Sequence, residues 1–170
     1  RNGLSLRFVE EQARPMGRNA AGVAGIKPVG DDVLVGLALV SDQSTLLVAS
    51  ENGIGKRTSF AEYRSQSRGG KGIITMKVTE KTGAVVGAVA VEEEDELMLM
   101  TTGGQSIRIR CSEIRETGRN AQGVKLVTLR GEERLQDIAK VLSGEEAEEA
   151  EAGEEDGEPG DKAAGDVSEV

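Results

Sequence analysis

A repeat with a period near 50 residues constrains this chain more than any other feature of its sequence. Five sets of identical residues recur in register at offsets of 50 and 51 residues, and we call each set a column. The columns are Gly3, Gly53 and Gly104; Arg7, Arg57 and Arg108; Arg14, Arg64 and Arg115; Arg18, Arg68 and Arg119; and Gly22, Gly72 and Gly123. Such self-similarity is typical of solenoids, propellers and arrays. It predicts repeats at about residues 1–40, 44–91 and 95–142. Because stacked repeats cover one another, we also expect further repeats upstream of Arg1 and low stability for this segment alone.

The repeats consist mostly of short predicted strands. Apolar or β-branched runs bounded by Gly, Asp or Ser occur as "DDVLVGLALV" (31–40), "STLLVAS" (44–50), "GAVVGAVAV" (83–91) and "DELMLMT" (95–101). "QSIRIR" (105–110) alternates, which places Arg108 and Arg110 on one face. Four short strands per repeat predict an all-β fold of propeller-like blades, in a partial ring of about two and a half repeats. The loops before Arg18, Arg68 and Arg119 are expected to connect the strands of each blade.

The charge of the chain is divided between two segments. Residues 143–170 hold 12 acidic residues and one base, a net charge of -11, whereas residues 1–142 hold 20 basic and 18 acidic residues, a net charge of +2. The acidic segment has no aromatic and only two β-branched residues, so it cannot bury enough apolar surface to offset the entropy of ordering. We expect a folded part over residues 1–142 and a disordered acidic tail over residues 143–170.

Two motifs in the columns carry basic residues. The first, N-G-x-x-x-R, occurs twice, at Asn2-Gly3 and Asn52-Gly53, with Gly103-Gly104 in its place in the third repeat. An Asn-Gly pair suits a two-residue hairpin turn with positive φ, after which the arginine projects from the next strand. The second, R-x-x-x-G-[VI], occurs as "RNAAGV", "RGGKGI" and "RNAQGV". Its glycine precedes a predicted strand, and its arginine is expected on an exposed loop.

The loop "SQSRGGKGII" (65–74) concentrates this second motif. A glycine-rich basic loop can cradle a phosphate, because backbone N–H groups converge where no Cβ obstructs them. It can equally be a turn between two strands, and the recurring glycines can be turn chemistry alone.

The arginine columns favour a periodic polyanion as ligand. Around a ring of blades, each column becomes an arc of positive charge that suits DNA phosphates, which position a duplex without reading its sequence. The alternative is that these arginines pair with neighbouring blades. With Phe8, Phe60 and Tyr63 as the only aromatics, we expect backbone binding without sequence preference. The predicted DNA-binding residues are Arg7, Arg14, Arg18, Lys56, Arg57, Arg64, Arg68, Lys71, Arg108, Arg110, Arg115 and Arg119.

The segment from "ENGIGKRTSF" to "RNAQGVKLV" (51–127) resembles the last blades of the DNA gyrase A C-terminal domain family, and "MGRNAAGVAGIKPVGDD" (16–32) fits the preceding blade. The resemblance covers residues 1–142, and an acidic tail is also typical of that family. It implies a six-bladed β-pinwheel that wraps double-stranded DNA with one handedness. It also implies a bacterial, cytoplasmic, nucleoid-associated complex with the gyrase B protein, an A2B2 heterotetramer that introduces negative supercoils using ATP and Mg bound elsewhere.

The wrapping motif of that family is Gln-Arg-Arg-Gly-Gly-Lys-Gly, in the first blade. The stretch Gln66-Ser67-Arg68-Gly69-Gly70-Lys71-Gly72 matches it at six of seven positions, with Ser67 in place of an arginine. We call Gln66–Gly72 the box-like loop. The resemblance implies that it is a later-blade counterpart and that the principal box lies upstream of Arg1.

Catalytic residues are not expected within this chain. It has no histidine, which excludes histidine-based acid–base chemistry and histidine metal sites, and its loops lack the phosphate-binding arrangement G-x-x-x-x-G-K-[ST]. The single tyrosine, Tyr63, aligns with Ala13 and Ile114, which predicts a packing position rather than the nucleophile of a type IIA topoisomerase. The single cysteine, Cys111, is predicted to be a buried apolar residue, and it argues for a reducing compartment. No membrane span or signal peptide is visible.

Three functional hypotheses stay open from the sequence. The first is a DNA-wrapping fragment of the gyrase A protein, and the second is the equivalent protein of topoisomerase IV. The third is a propeller scaffold that binds proteins, with arginines that pair with acidic partners. For the acidic tail we weigh a role in solubility against competition with DNA for the arginines; in the latter case its deletion should tighten DNA binding at low salt.

Overall fold

The computed structural model describes residues 1–142, in which antiparallel β-strands are the regular structure. The strands are β1 (Leu4–Ser5), β2 (Thr45–Ser50), β3 (Ile54–Ser59), β4 (Ile73–Ile74), β5 (Val85–Val91), β6 (Glu96–Thr101), β7 (Ser106–Arg110), β8 (Val124–Lys125) and β9 (Leu135–Val141). Single 3₁₀ turns follow β1, β3 and β7 at Glu10–Gln12, Phe60–Glu62 and Cys111–Glu113. The all-β prediction is confirmed, whereas the predicted tail lies outside the described residues. No helix in the described part is long and apolar enough to cross a membrane.

Repeats exchange strands with one another. The second repeat builds a sheet of order β5-β2-β3, and β8 of the third repeat joins its edge by pairing with β3. In the same way β4 of the second repeat pairs with β1 of the first, and β6, β7 and β9 form a third sheet. The expectation that the loops before Arg68 and Arg119 connect strands of one blade is therefore wrong. These loops leave their own sheet, because the strand after each one finds its hydrogen-bond partners in the preceding repeat.

The turn between β2 and β3 differs from the predicted two-residue form. Ser50 and Ile54 flank three residues, the N–H of Gly53 donates to Ser50 O at 2.9 Å, and Gly53 alone in this turn has a positive φ, of +72°. This is a three-residue hairpin with glycine in the left-handed position. Asn52 does not adopt a positive φ, since only the glycine position of this turn requires one. Its side-chain amide donates to Glu80 O at 2.9 Å and to Lys81 O at 3.2 Å.

β2 lies at the centre of the core and is buried on both faces. Leu47 and Ala49 pack with Leu97 and Leu99 of β6 in one cluster, while alternate residues Leu46 and Val48 pack in a second cluster. The second cluster also contains Phe60, Tyr63, Met76 and Val85. A strand that is covered on both faces needs a continuous apolar run rather than alternation, and "TLLVA" supplies it.

Residues 31–40 were predicted to form a strand, and this prediction is wrong for the described chain. Their repeat equivalents, β5 and β9, pair with β2 and β6, but no strand within residues 1–142 lies beside 31–40 to exchange ladder hydrogen bonds. The segment instead packs on the face of β5, where Val35 and Ala38 contact the second core cluster. Its outward side chains are exposed, with Leu37 and Leu39 each at 83%.

Candidate nucleic-acid interface

Arg7 and Arg57, from the first arginine column, connect each repeat to the next. Nη1 of Arg7 donates to Phe60 O at 2.9 Å and to Tyr63 O at 3.4 Å. Nε of Arg57 donates to Ile114 O at 2.9 Å, and the residue is only 7% exposed. These side chains therefore serve the joint between repeats, which is the alternative that the sequence left open for the arginines. We do not include them among the proposed DNA contacts.

Lys56 lies fully buried beside Arg57, although it was predicted to contact DNA. Its ammonium group donates to the main-chain oxygens of Arg119, of Ala121 at 3.0 Å and of Gly118 at 3.5 Å. Burial lowers the pKa of Lys56, and the nearby guanidinium of Arg119 lowers it further. Because its Nζ is enclosed by the 118–121 loop, Lys56 fixes that loop and offers no charge to a ligand in solvent.

Arg68 and Arg119 form a second joint between repeats. Nη1 of Arg68 donates to Ala24 O at 3.3 Å, and Nη1 of Arg119 donates to Ile74 O at 2.6 Å. Ala24 and Ile74 occupy equivalent positions, six residues after Arg18 and Arg68. Arg68 and Arg119 thus each bond to the repeat before their own, whereas Arg18, the first member of the column, is exposed. Both bonded arginines remain partly exposed.

The box-like loop lies on the first repeat. N–H groups of three of its residues are engaged there: Gln66 donates to Arg7 O at 2.8 Å, Arg68 to Gln12 Oε1 at 2.9 Å and Gly69 to Gly25 O at 2.6 Å. Gly70 O also accepts from the Lys27 N–H at 2.9 Å. The loop is therefore more than a turn between two strands, since it joins two repeats. Beyond these contacts the loop presents the exposed side chain of Lys71.

Arg108 and Arg110 project from one face of β7, as the alternation predicted, and both are exposed. Glu96 on β6 contacts both: its carboxylate accepts from Nε of Arg108 at 2.7 Å and lies 3.9 Å from Nε of Arg110. An exposed pair of this kind contributes little to stability. It does reduce the positive charge that this edge presents.

Arg14, Arg64 and Arg115 form the one three-membered arginine column that is exposed at every copy in residues 1–142 and carries no side-chain hydrogen bond or ion pair there. Each follows a 3₁₀ turn, at Glu10–Gln12, Phe60–Glu62 and Cys111–Glu113. After the second and third of these turns, the next strands, β4 and β8, pair with the preceding repeat. The structure therefore repeats one free guanidinium per blade at a fixed position relative to the strand order.

Tyr63 and Cys111 are both buried, as the sequence predicted. Tyr63 packs with Phe60 and shares a 2.5 Å hydrogen bond with the hydroxyl of Thr75. Burial raises the pKa of the Tyr63 phenol, and burial together with the Asp95 carboxylate raises the pKa of the Cys111 thiol to about 11. Both groups are kept in the neutral form, which suits packing rather than nucleophilic chemistry.

Comparison with known proteins identifies the blades. The model of the family described as "DNA gyrase C-terminal domain, beta-propeller" matches three successive segments, residues 1–41, 44–92 and 95–141. This chain belongs to the DNA gyrase A C-terminal domain family. Its gyrase A relatives include that of Klebsiella oxytoca, 45% identical over 147 residues, and that of Helicobacter pylori (strain ATCC 700392 / 26695), 49% identical over 127 residues. These matches cover 85% and 74% of this chain but only 17% and 15% of the relatives.

Solved structures show the same fold as this member of the gyrase A C-terminal domain family. "Structure of DNA gyrase A C-terminal domain" matches with a TM-score of 0.75 and 30% identity, covering 83% of this chain and 48% of that one. "Crystal structure of the C-terminal domain of DNA topoisomerase IV" matches with a TM-score of 0.74 and 22% identity, covering 92% and 50%. The second likeness shows the fold alone.

Some basic and polar residues of this gyrase-family domain were missed by sequence reasoning. Lys27 and Lys77 are equivalent and exposed, but the third copy has Thr128, so this column has only two basic members. Gln12, which holds Arg68 through both its side-chain and main-chain oxygens, has no counterpart in the columns. The two-copy lysine column could have been found by the same offsets, whereas the role of Gln12 had no sequence signal.

Proposed function

We propose that this chain binds and wraps double-stranded DNA as part of the A protein of a bacterial gyrase, a type IIA topoisomerase. In this proposal it supports ATP-dependent negative supercoiling together with the gyrase B protein in an A2B2 complex located in the cytoplasm at the nucleoid. DNA cleavage, ATP and Mg are assigned to parts of the complex outside this chain. The proposal depends on one observation, the free and exposed column of Arg14, Arg64 and Arg115.

Free guanidiniums repeated once per blade suit a ligand with a repeated charge. The DNA backbone carries one negative charge per ~1.7 Å of helix axis, and each phosphate that a protein neutralises releases counterions. The exposed Arg18 and Lys71 lie on the loops next to this column and add positive charge there. Lys56 and Arg57, which are buried, are not needed for this contact.

The described residues favour contact with the DNA backbone over reading of bases. Phe60 and Tyr63 are buried and are not free to stack on bases, which leaves the half-buried Phe8 as a single aromatic rather than a stacking set. No helix of residues 1–142 is available to enter the major groove. Bending 20–30 bp by 40–90° costs on the order of 1–6 kcal/mol. One arginine cannot offset this cost, and a wrap therefore requires several blades to act together.

The test is the salt dependence of DNA affinity. Each lost phosphate contact reduces the slope of log K against log salt by about 0.9, so the triple variant Arg14→Ala, Arg64→Ala, Arg115→Ala should reduce it by about 2.7. Arg134→Ala is the matched control, because Arg134 is an exposed arginine outside the columns. It should leave the slope unchanged. An unchanged slope in the triple variant would remove this column from the interface.

Wrapping, as distinct from binding, needs a topological readout. The full-length protein is bound to nicked circular DNA, the nick is ligated and the protein removed, and the linking number is read on a gel. A shift of one sign that grows with protein supports chiral wrapping. Binding without a shift favours a passive DNA-holding domain, as in the topoisomerase IV hypothesis. Absence of salt-dependent binding favours the protein-binding scaffold.

A further inference from the structure

Arg7 and Arg57 each contact the backbone next to the free arginine of the following repeat. The carbonyl that Arg57 holds is that of Ile114, directly before Arg115. The carbonyl that Arg7 reaches at 3.4 Å is that of Tyr63, directly before Arg64, and a second bond of 2.9 Å ends on Phe60 of the same 3₁₀ turn. We propose that Arg7 and Arg57 are positioning residues, which set the location of Arg64 and Arg115 for phosphate binding without touching DNA.

A second contact fixes the other side of each free arginine. The Gln66 N–H donates to Arg7 O at 2.8 Å, and the Thr117 N–H donates to Arg57 O at 2.9 Å. Arg7 and Arg57 therefore each hydrogen-bond to two places in the next repeat: the residue directly before its exposed arginine and the residue two positions after it. Arg64 and Arg115 are attached at both sides to the preceding repeat. Their spacing follows the stacking of repeats rather than the internal geometry of one sheet.

The buried side chain of Arg57 cannot itself reach a phosphate as placed. It is 7% exposed, and next to it Lys56 is fully enclosed by the 118–121 loop. Removal of Arg57 should therefore act on DNA only through Arg115. In the third repeat Arg108, the equivalent of Arg57, bonds to Glu96 instead, so this positioning contact is seen twice in the described residues.

We call this arrangement, in which an arginine of one repeat positions the DNA-facing arginine of the next, the relay. Each of the first two repeats positions the free guanidinium of the repeat that follows it, so a wrapped duplex would meet Arg64 and Arg115 at intervals set by the joints. This inference depends on the proposed DNA binding by the column of Arg14, Arg64 and Arg115. It adds that two arginines of another column influence affinity from inside the fold.

A double-mutant cycle in the full-length protein tests the relay, with the salt slope as the measured quantity. Arg115→Ala and Arg57→Gln should each reduce the slope of log K against log salt by about 0.9, which changes the affinity loss between 50 and 200 mM salt by about 3.5-fold. The slope for the double variant should also be reduced by only about 0.9, because both substitutions remove the same phosphate contact. The control is Arg57→Gln combined with Arg64→Ala. These substitutions affect two different phosphate contacts, so together they should reduce the slope by about 1.8.

The outcomes separate the possible roles. A loss of about 1.8 in the Arg57→Gln, Arg115→Ala variant would mean independent phosphate contacts and would overturn the relay, as would an unchanged slope in Arg57→Gln. If Arg115→Ala itself had no effect, the proposed DNA contact of that residue would fail, and the relay with it. Should Arg57→Gln not fold, the half-buried Arg7 paired with Arg64 provides the same cycle. Arg57→Lys should partly restore the slope, since an ammonium can still donate to Ile114 O.

Discussion

The glycine column at positions 22, 72 and 123 allows the joint between repeats to be tested by one substitution made at equivalent sites. All three glycines have positive φ, of +80°, +81° and +96°. A Cβ on Gly72 would lie 2.3 Å from Ser5 O, and one on Gly123 would lie 2.5 Å from Gly55 O, whereas a Cβ on Gly22 would meet nothing within 4 Å. Gly22→Ala is thus a matched control that has the backbone strain without the steric overlap.

The expected magnitudes follow from these two terms. A left-handed conformation costs a residue with a Cβ about 1–2 kcal/mol, and the smaller entropy of the unfolded chain with alanine offsets about 0.4–1 kcal/mol. Gly22→Ala should therefore lower the free energy of unfolding by about 1 kcal/mol. At Gly72 and Gly123 the overlap with a main-chain oxygen adds roughly 1–3 kcal/mol, as overpacking does in cores. The total there is about 2–4 kcal/mol.

Urea unfolding of the three variants measures these differences. We expect the urea concentration at the unfolding midpoint to be highest for the wild type, lower for Gly22→Ala, and lowest for Gly72→Ala and Gly123→Ala. The dependence of the unfolding free energy on urea concentration should be similar in all four proteins if the denatured state is unchanged. The reasoning is refuted if Gly72→Ala is no more destabilising than Gly22→Ala. In that case the close approach of the two repeats would not contribute to stability, and the strand exchange of β4 and β8 would need another explanation.

Two further predictions concern buried groups. Lys56→Leu introduces the residue found at the equivalent position, Leu6, and should remove hydrogen bonds to the 118–121 loop that contribute about 1.5–3 kcal/mol to stability. Loss of the buried charge should offset part of that destabilisation. Hydrogen exchange of the Ala121 amide should accelerate in the variant, and unchanged exchange would show that other contacts hold the loop. The raised pKa of Cys111, about 11 against an ordinary 9.0, means that the unfolded state loses its proton first, so stability is complete below pH 9 and falls between pH 9 and 11. Cys111→Ala should flatten the unfolding free energy across that window, and an identical pH profile in the variant would contradict this assignment.

Much of the fold follows from the sequence because its signals are local. The apolar run of β2, the alternation in β7 and the offset columns predict short strands in repeats, and the packing role of Tyr63 follows from the apolar residues at its equivalent positions. The segment 31–40 shows the limit of such reasoning. It has the composition of β5, but a strand also needs a neighbour to exchange hydrogen bonds, and composition carries no information on the neighbour.

The sequence by itself determined that three arginine columns recur, but it could not distinguish their roles. Arg57 and Arg115 repeat with the same offsets, and yet one is buried in a joint and the other is free at the surface. The physical reason is that the joints end on main-chain oxygens, such as Ile114 O and Ile74 O. Every residue type has such an oxygen, so the acceptor leaves no trace in the sequence. Only the tertiary structure, by placing one repeat against the next, decided which guanidiniums were already bonded and which were available to a ligand.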